Sequence, residues 1–355
     1  MRFVPLSCLR EGMVLAENLY YDSNNLMLIE GTRLTKKNVE AIKRFGYYGA
    51  YIDDDISKDI SIVNVVNDKV RYKTLKNIKK LFIQSEEGYV DIRDNLEIAK
   101  QQIESIVDEI YTNQNLLINL IDLKTFDDYT YNHSVNVSIM SIALGVSLGM
   151  TKKELCDLGF AALLHDIGKV FVNREILNKK SKLTDTEFDE MKKHSILGYR
   201  HIQNGYEVSE EVLRGILEHH EKYGGGGYPN NLKGNNISIF ARIISAADVY
   251  DALTSDRPYR KAFLPADAVE YIMASIITQF DPEVVNAFVT KIAPYPVGTY
   301  VNLSNGSKAI IVENNKETCL RPKVRIIKKQ DKKVKPYVVD LADYRFLNVI
   351  ITEIL

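Results

Sequence analysis

The chain has 355 residues and six histidines, all between positions 133 and 220. Five of them, His133, His165, His194, His219 and His220, fall near helix ends or on helices whose limits can be read from the sequence. Neutral imidazole is the commonest metal ligand in proteins, and a carboxylate can bridge two cations. These histidines, with Asp166 and Asp248 on neighbouring helices, would therefore suit a two-metal site. The adjacent pairs His165–Asp166 and His219–His220 add a condition. Neighbours on a helix diverge by about 100°, so such a pair converges on one metal only where a terminal turn bends it, or else it serves two cations. The sixth, His201, lies seven residues after His194 and is expected to take a hydrogen-bonded packing role. An imidazole and carboxylate set admits Fe, Mn, Zn, Co or Ni, and the sequence does not choose among them.

Helices must position these side chains. The run ELCDLGFAALLHDIGK predicts a helix closed by His165 and Asp166, with Gly168 as terminator. The capping box from Thr184 to Glu187 opens the helix expected to carry His194. Ser209 is placed to cap the helix that His219 and His220 end. Residues 124–290 alternate helical periodicity with short loops and hold no long strand alternation, which predicts an all-α domain. Ser134 to Thr151 contains no charged residue, but Ser134, Ser138, Ser141 and Gly145 form a small-residue stripe at helical spacing. That stripe predicts a buried helix closely approached by another, not a membrane span.

The flanks differ in kind. Residues 1–60 read as short strands around one helix that Thr35 starts and Gly46 ends, a small α+β module. Residues 61–123 show apolar spacings of three, four and seven at Leu75, Ile78, Leu81 and Phe82, then at Ile92, Leu96, Ile103, Ile106 and Ile110, with a break near Ser85–Gly88. This predicts a helical connector, a packing layer that permits a dimer without demanding one. Residues 291–355 turn to β-branched alternation separated by NG and NN signals, a small β module. Its basic run Lys328, Lys329, Lys332 and Lys333 reads as a solvated hairpin loop. The expected fold class is mainly α.

Composition closes off several functions. Lysine and arginine total 46 against 47 aspartates and glutamates, a net charge of −1, which argues against a nucleic-acid polymer or an anionic membrane as partner. The cysteines, Cys8, Cys156 and Cys319, are three and widely spaced, which fits a reducing cytoplasm and no disulfide framework. The N-terminus lacks the apolar core of a signal peptide.

Five segments in register, Asn132–His133–Ser134, LLHDIGK at 163–169, MKKHSILGY at 191–199, LEHHEKYGGGGYP at 217–229 and AADVYDALTSDRPYRKA at 246–262, resemble the HD-GYP domain of the HD phosphohydrolase superfamily. The resemblance covers about residues 121–290. It implies a metal centre of His133, His165, Asp166, His194, His219, His220 and Asp248, with Asp166 bridging two divalent ions, iron or manganese. A third metal in some members is held by a Glu one turn before the first histidine; here that position is Tyr129, so two are expected. The implied activity is hydrolysis of cyclic di-GMP to linear pGpG, with GMP as a further product left open. Two cations about 3.5–4 Å apart can polarise a phosphodiester and activate a bridging hydroxide for in-line displacement.

Lys169 resembles the lysine of the family's HDxGK pattern and could stabilise charge on a phosphoryl oxygen or the leaving group; otherwise it is an exposed cation at a helix end. Arg257, Arg260 and Lys261 surround Pro258, and paired arginine donors fit phosphate and the Hoogsteen edge of guanine, so they are candidate substrate clamps or an ordinary charged loop. The resemblance gives the GYP loop a structural role and contacts with signalling partners. Gly224 stands where the family usually has Asp, which bears on loop rigidity. Alternatives are another cyclic dinucleotide such as cyclic GMP-AMP, a mononucleotide, or a non-catalytic receptor.

Overall fold

The computed structural model describes residues 1–20, 25–45, 47, 49–60, 65–88, 92–113, 129–179, 181–255, 262–315 and 318–354. The chain divides into two compact units, Met1–Asn64 with Leu117–Tyr129 and Ile292–Leu355, and Val65–Leu116 with Thr130–Lys291.

In the first unit both ends of the chain meet. The strands β1 (Arg2–Pro5), β2 (Val14–Leu15) and β5 (Gly49–Asp53) form a sheet in the order β1-β5-β2, beside a ribbon of β3 (Leu19–Tyr20) and β4 (Leu26–Leu28). Helix α1 (Lys36–Arg44) starts at Thr35, whose hydroxyl and the Asn38 side chain cap each other's backbone. The strands β6 (Tyr300–Leu303), β7 (Ser307–Glu313), β8 (Lys323–Lys329), β9 (Lys332–Asp340) and β10 (Ile351–Ile354) build an antiparallel sheet in the order β10-β6-β7-β8-β9. The lysine run indeed lies on the β8–β9 hairpin, whose two turn residues, Gln330 and Asp331, both have positive φ. Ile60 packs with Ile310 and Ile327, the Phe3 amide donates to the Gly298 carbonyl at 3.1 Å, and Arg325 makes a two-pronged pair with Asp59 at 2.7 and 2.6 Å.

The second unit is helical throughout, apart from an isolated bridge at Ile276 and Phe280 among its described residues. Helices α2 (Asp68–Glu86) and α3 (Arg93–Thr112) form the expected hairpin, with Gly88 at φ 76° after the first. Leu96, Ala99, Ile103, Ile106, Val107 and Ile110 make the buried stripe of α3. Burying each large aliphatic side chain contributes about 1.5–3 kcal/mol. Helix α4 (Tyr129–Ser147) is buried without interruption from 132 to 145. Its small-residue stripe does what the sequence predicts: the Ser138 hydroxyl donates to the Gly159 carbonyl at 2.8 Å on α5 (Lys152–Leu164). No helix among the described residues is long and apolar enough to cross a membrane.

Next come α6 (Arg174–Leu177), α7 (Asp185–Lys192), α8 (His194–Gly205), α9 (Glu210–Glu218), α10 (Ile239–Thr254), α11 (Pro265–Ala274) and α12 (Pro282–Lys291). Two local expectations change here. The Thr184 capping box opens α7, but the helix breaks at Lys193, and His194 begins α8. Gly168 is not a terminator: it sits inside a 3-10 turn, Ile167–Phe171. A Cβ there would lie 1.9 Å from the His194 carbonyl oxygen and 2.5 Å from the Gly198 nitrogen. Backbone is the obstacle, so the glycine is required for the turn after His165–Asp166 to reach the start of α8.

Gly168→Ala should destabilise the protein by at least about 3 kcal/mol, against about 1–2 kcal/mol for Gly88→Ala, which meets only open space at positive φ; urea midpoints compare them. The Arg325 guanidinium holds the Asp59 carboxyl down to about 2. A depressed folded value means the pair's contribution is complete above the ordinary carboxylate pKa and is lost as pH falls toward 2. The difference in urea midpoint between the native chain and Asp59→Asn should therefore vanish across that window.

Candidate metal centre

The helix ends supply the site. His165 caps the C-terminus of α5, Asp166 follows it, His194 opens α8, and His219 caps α9 with His220 next. The two adjacent pairs thus lie on terminal turns, where consecutive side chains can converge. His133 projects from the first part of α4 and Asp248 from α10. Two groups result, Asp166 with His194, His219 and His220, and His133 with His165 and Asp248; within each, one ligand atom per residue lies within 4.8 Å of the others.

Asp166 stands between the groups. Its Oδ2 is 3.4 Å from His165 Nε2 and 3.8 Å from His133 Nε2, while its Oδ1 faces His194 Nε2 at 3.5 Å. Lys169 Nζ donates to Oδ2 at 2.5 Å and keeps 30% of its side chain exposed. Burial pushes the Asp166 carboxyl up, but Lys169 and the surrounding histidines more than reverse this and hold it ionised.

Three imidazoles are aimed by one device. His165 Nδ1 donates to the Ala162 carbonyl at 2.7 Å, His194 Nδ1 to Met191 at 2.8 Å and His219 Nδ1 to Ile216 at 2.7 Å. Each acceptor is a carbonyl three residues back, in the last turn of α5, α7 or α9, where the helix leaves carbonyls without amide partners. With its proton fixed on Nδ1, each ring presents a bare Nε2 lone pair to the pocket. His194 and His219 bring two such nitrogens to 3.3 Å. A proton between them is opposed by burial, which pulls His194 down to about 4 and His219 well below its ordinary value. Burial likewise pulls His220 to about 3.

His165 Nε2 and Asp166 Oδ1 are buried with no hydrogen-bond partner among the described residues. Facing lone pairs and orphaned acceptors repel each other and attract a cation, so the donor set fits one or more metal ions.

His133 is held differently. Its Nδ1 lies 2.8 Å from Asp251 Oδ2, and the Asn136 amide donates to Asp251 Oδ1 at 2.8 Å. Burial pulls the His133 imidazolium down, but Asp248, at 3.1 Å from Nε2, and Asp251 overturn that and raise it to about 9. Asp251 orients this ring from behind and was missed by the sequence reading. The available signal was its position three residues after Asp248 on one face of a mostly apolar helix.

Tyr228 was also missed as a neighbour of the site. Its ring lies 4.8 Å from His220 at 31°. The glycine-rich loop that carries it is tied down rather than loose. Tyr223 and Gly224 amides donate to the Gln279 and Thr278 carbonyls, and the Glu221 carboxylate accepts from the Asn230 and Leu232 amides. A Cβ at Gly224 would meet the Thr278 oxygen at 2.7 Å, so the residue serves close approach. His201 takes its packing place, with Nε2 3.0 Å from Ser85 Oγ and its ring against Phe171. Arg257, Arg260 and Lys261 lie outside the described residues, as does the Tyr129 side chain.

Residues 115–284 match the family model for the HD domain, and residues 300–353 match that for the KOW domain associated with the HD domain. A Thermotoga maritima protein named cyclic di-GMP phosphodiesterase is 30% identical over 276 residues, 73% of this chain and 68% of that one. The chain belongs to the HD-domain family, of the HD-GYP type. A Pseudomonas aeruginosa relative, also named a cyclic di-GMP phosphodiesterase, is 40% identical over 246 residues, 69% of this chain; the chain spans 59% of that relative's length. The solved structure of an HDG"Y"P protein from Bdellovibrio bacteriovorus shares the fold, with a TM-score of 0.51 at 21% identity over 80% of this chain and 97% of that one.

Asp251→Asn should lower divalent-ion affinity by about 10- to 100-fold while the circular dichroism spectrum is retained. Competition with a chelating dye measures it, and an unchanged affinity would show that His133 needs no support from behind.

Proposed function

We propose that this HD-GYP chain hydrolyses cyclic di-GMP to linear pGpG, with GMP as a possible second product, at a centre of two divalent transition-metal ions, iron or manganese. The observation that carries the reading is Asp166, with one oxygen toward each of two histidine groups, the position a bridging carboxylate occupies. On this reading His133, His165 and Asp248 would hold one ion and His194, His219 and His220 the other, with Asp166 available to each. Two ions so held would polarise a phosphoryl oxygen and lower the pKa of water to give a nucleophile near neutrality.

The chain's own side chains do the rest. The carbonyl-pinned Nδ1 protons keep Nε2 of His165, His194 and His219 unprotonated and directed inward. Lys169, half in the pocket and paired to Asp166, can turn its ammonium toward a non-bridging phosphoryl oxygen or the leaving alkoxide and stabilise charge that grows there. Arg257, Arg260 and Lys261 are proposed to clamp phosphate and a guanine edge. The reading also takes Cys8, Cys156 and Cys319, all free, as fitting a cytoplasmic location, the α2–α3 connector as a dimer contact, and the glycine-rich loop as a contact for a signalling partner.

Protein purified without oxygen and loaded with Fe or Mn should open cyclic di-GMP. Lys169→Met should lower kcat by about 10²–10³-fold at unchanged metal content, and chelation should abolish turnover reversibly. Absence of turnover at two metals per chain, across cyclic di-GMP and cyclic GMP-AMP, would overturn the proposal; binding without cleavage would mark a receptor instead.

A further inference from the structure

Helix α7 is short and has no buried residue, and it leaves Phe188 48% exposed. A single exposed phenyl ring needs no explanation in itself. This one ends a continuous series of rings leading out of the metal centre. His194 and His220 are 5.0 Å apart, His220 and Tyr228 4.8 Å, and Tyr228 and Phe188 6.4 Å at 83°. Lys192, one turn along α7, places its Nζ 5.2 Å from the Phe188 ring centre and 6.0 Å from that of Tyr228, and also pairs with Asp189 at 2.6 Å. The inner rings of the series are committed to the pocket. The last is about half exposed, with the Lys192 ammonium over its ring.

A half-exposed π surface covered by one movable ammonium, two ring steps from the candidate metal ligands, matches one ligand chemistry: a purine joined to the phosphate held there. Stacking uses the face of the ring, which Lys192 uncovers by turning from Phe188 and Asp189 to a carbonyl or phosphate oxygen of the same nucleotide. We infer that Phe188, with Lys192 drawn off its face toward the nucleotide, forms a stacking platform that positions one purine base of the cyclic dinucleotide, an inference that rests on the proposed function above.

Because the ring contributes to binding in ground and transition states alike, its loss should appear in KM and not in kcat. Phe188→Ala should raise KM for cyclic di-GMP by about 5- to 150-fold, the range of one base–aromatic stack, with kcat within about twofold. Phe188→Tyr and Phe188→Trp should restore the native value, while Phe188→Leu, apolar and of similar bulk, should not. A cyclic dinucleotide bearing 2-aminopurine supplies a readout independent of turnover: its fluorescence should be quenched on binding to the native protein and less quenched by the Ala and Leu variants at saturation. Native KM in Phe188→Leu, or a loss confined to kcat, would overturn the platform. Failure of the native protein to cleave the dinucleotide would instead count against the proposed function, and the quenching series would still decide the role of Phe188.

Discussion

The hydrogen bond from a histidine Nδ1 to a spare carbonyl in the last turn of a helix is the contact on which this site depends. It occurs at α5, at the end of α7 and at α9. It solves two problems together. A helix C-terminus leaves carbonyls that need donors, and an imidazole meant to offer a lone pair needs its proton parked elsewhere. Buried far from water, each such ring is held neutral and in one tautomer. His133 is instead aimed by the Asp251 carboxylate behind it, and Asp248 and Asp251 together keep it charged until something displaces its Nε2 proton.

Aiming the rings inward concentrates lone pairs and carboxylate oxygens in a small buried volume, an arrangement costly for the protein by itself. Lys169 offsets part of the cost at Asp166. The remainder is a standing demand for positive charge, seen in the 3.3 Å approach of two Nε2 atoms and in the orphaned oxygen of Asp166. Packing holds the groups against this mutual repulsion. Gly168 lets the turn bearing His165 and Asp166 touch the backbone at the start of α8, and the Glu221 carboxylate anchors the loop that stacks Tyr228 on His220.

The unit built from both chain ends follows a different economy. Its two sheets are small, and a few long-range contacts join them: a shared apolar cluster of Ile60, Ile310 and Ile327, and the Asp59–Arg325 pair. The Asp59–Arg325 pair alone links residues 266 positions apart, so reading along the chain gives the two segments separately while folding joins them.

Much of this protein is set by local sequence. Capping at Thr35, Thr151 and Thr184, the apolar stripe of α3, the small residues of α4 and the positive-φ hairpin turn each depend on side chains a few positions apart. The histidines, Asp166 and Asp248 that the fold gathers were legible as candidates too, because few other residue types offer such donors. Which carbonyl each imidazole meets, that Asp166 divides its oxygens between two groups, that Asp251 stands behind His133, and that Gly168 serves contact rather than termination were decided only in three dimensions. The reason is physical: a local signal fixes backbone hydrogen bonds within a turn, whereas tautomer, aim and charge depend on atoms that arrive from helices as far apart in sequence as α4 and α10.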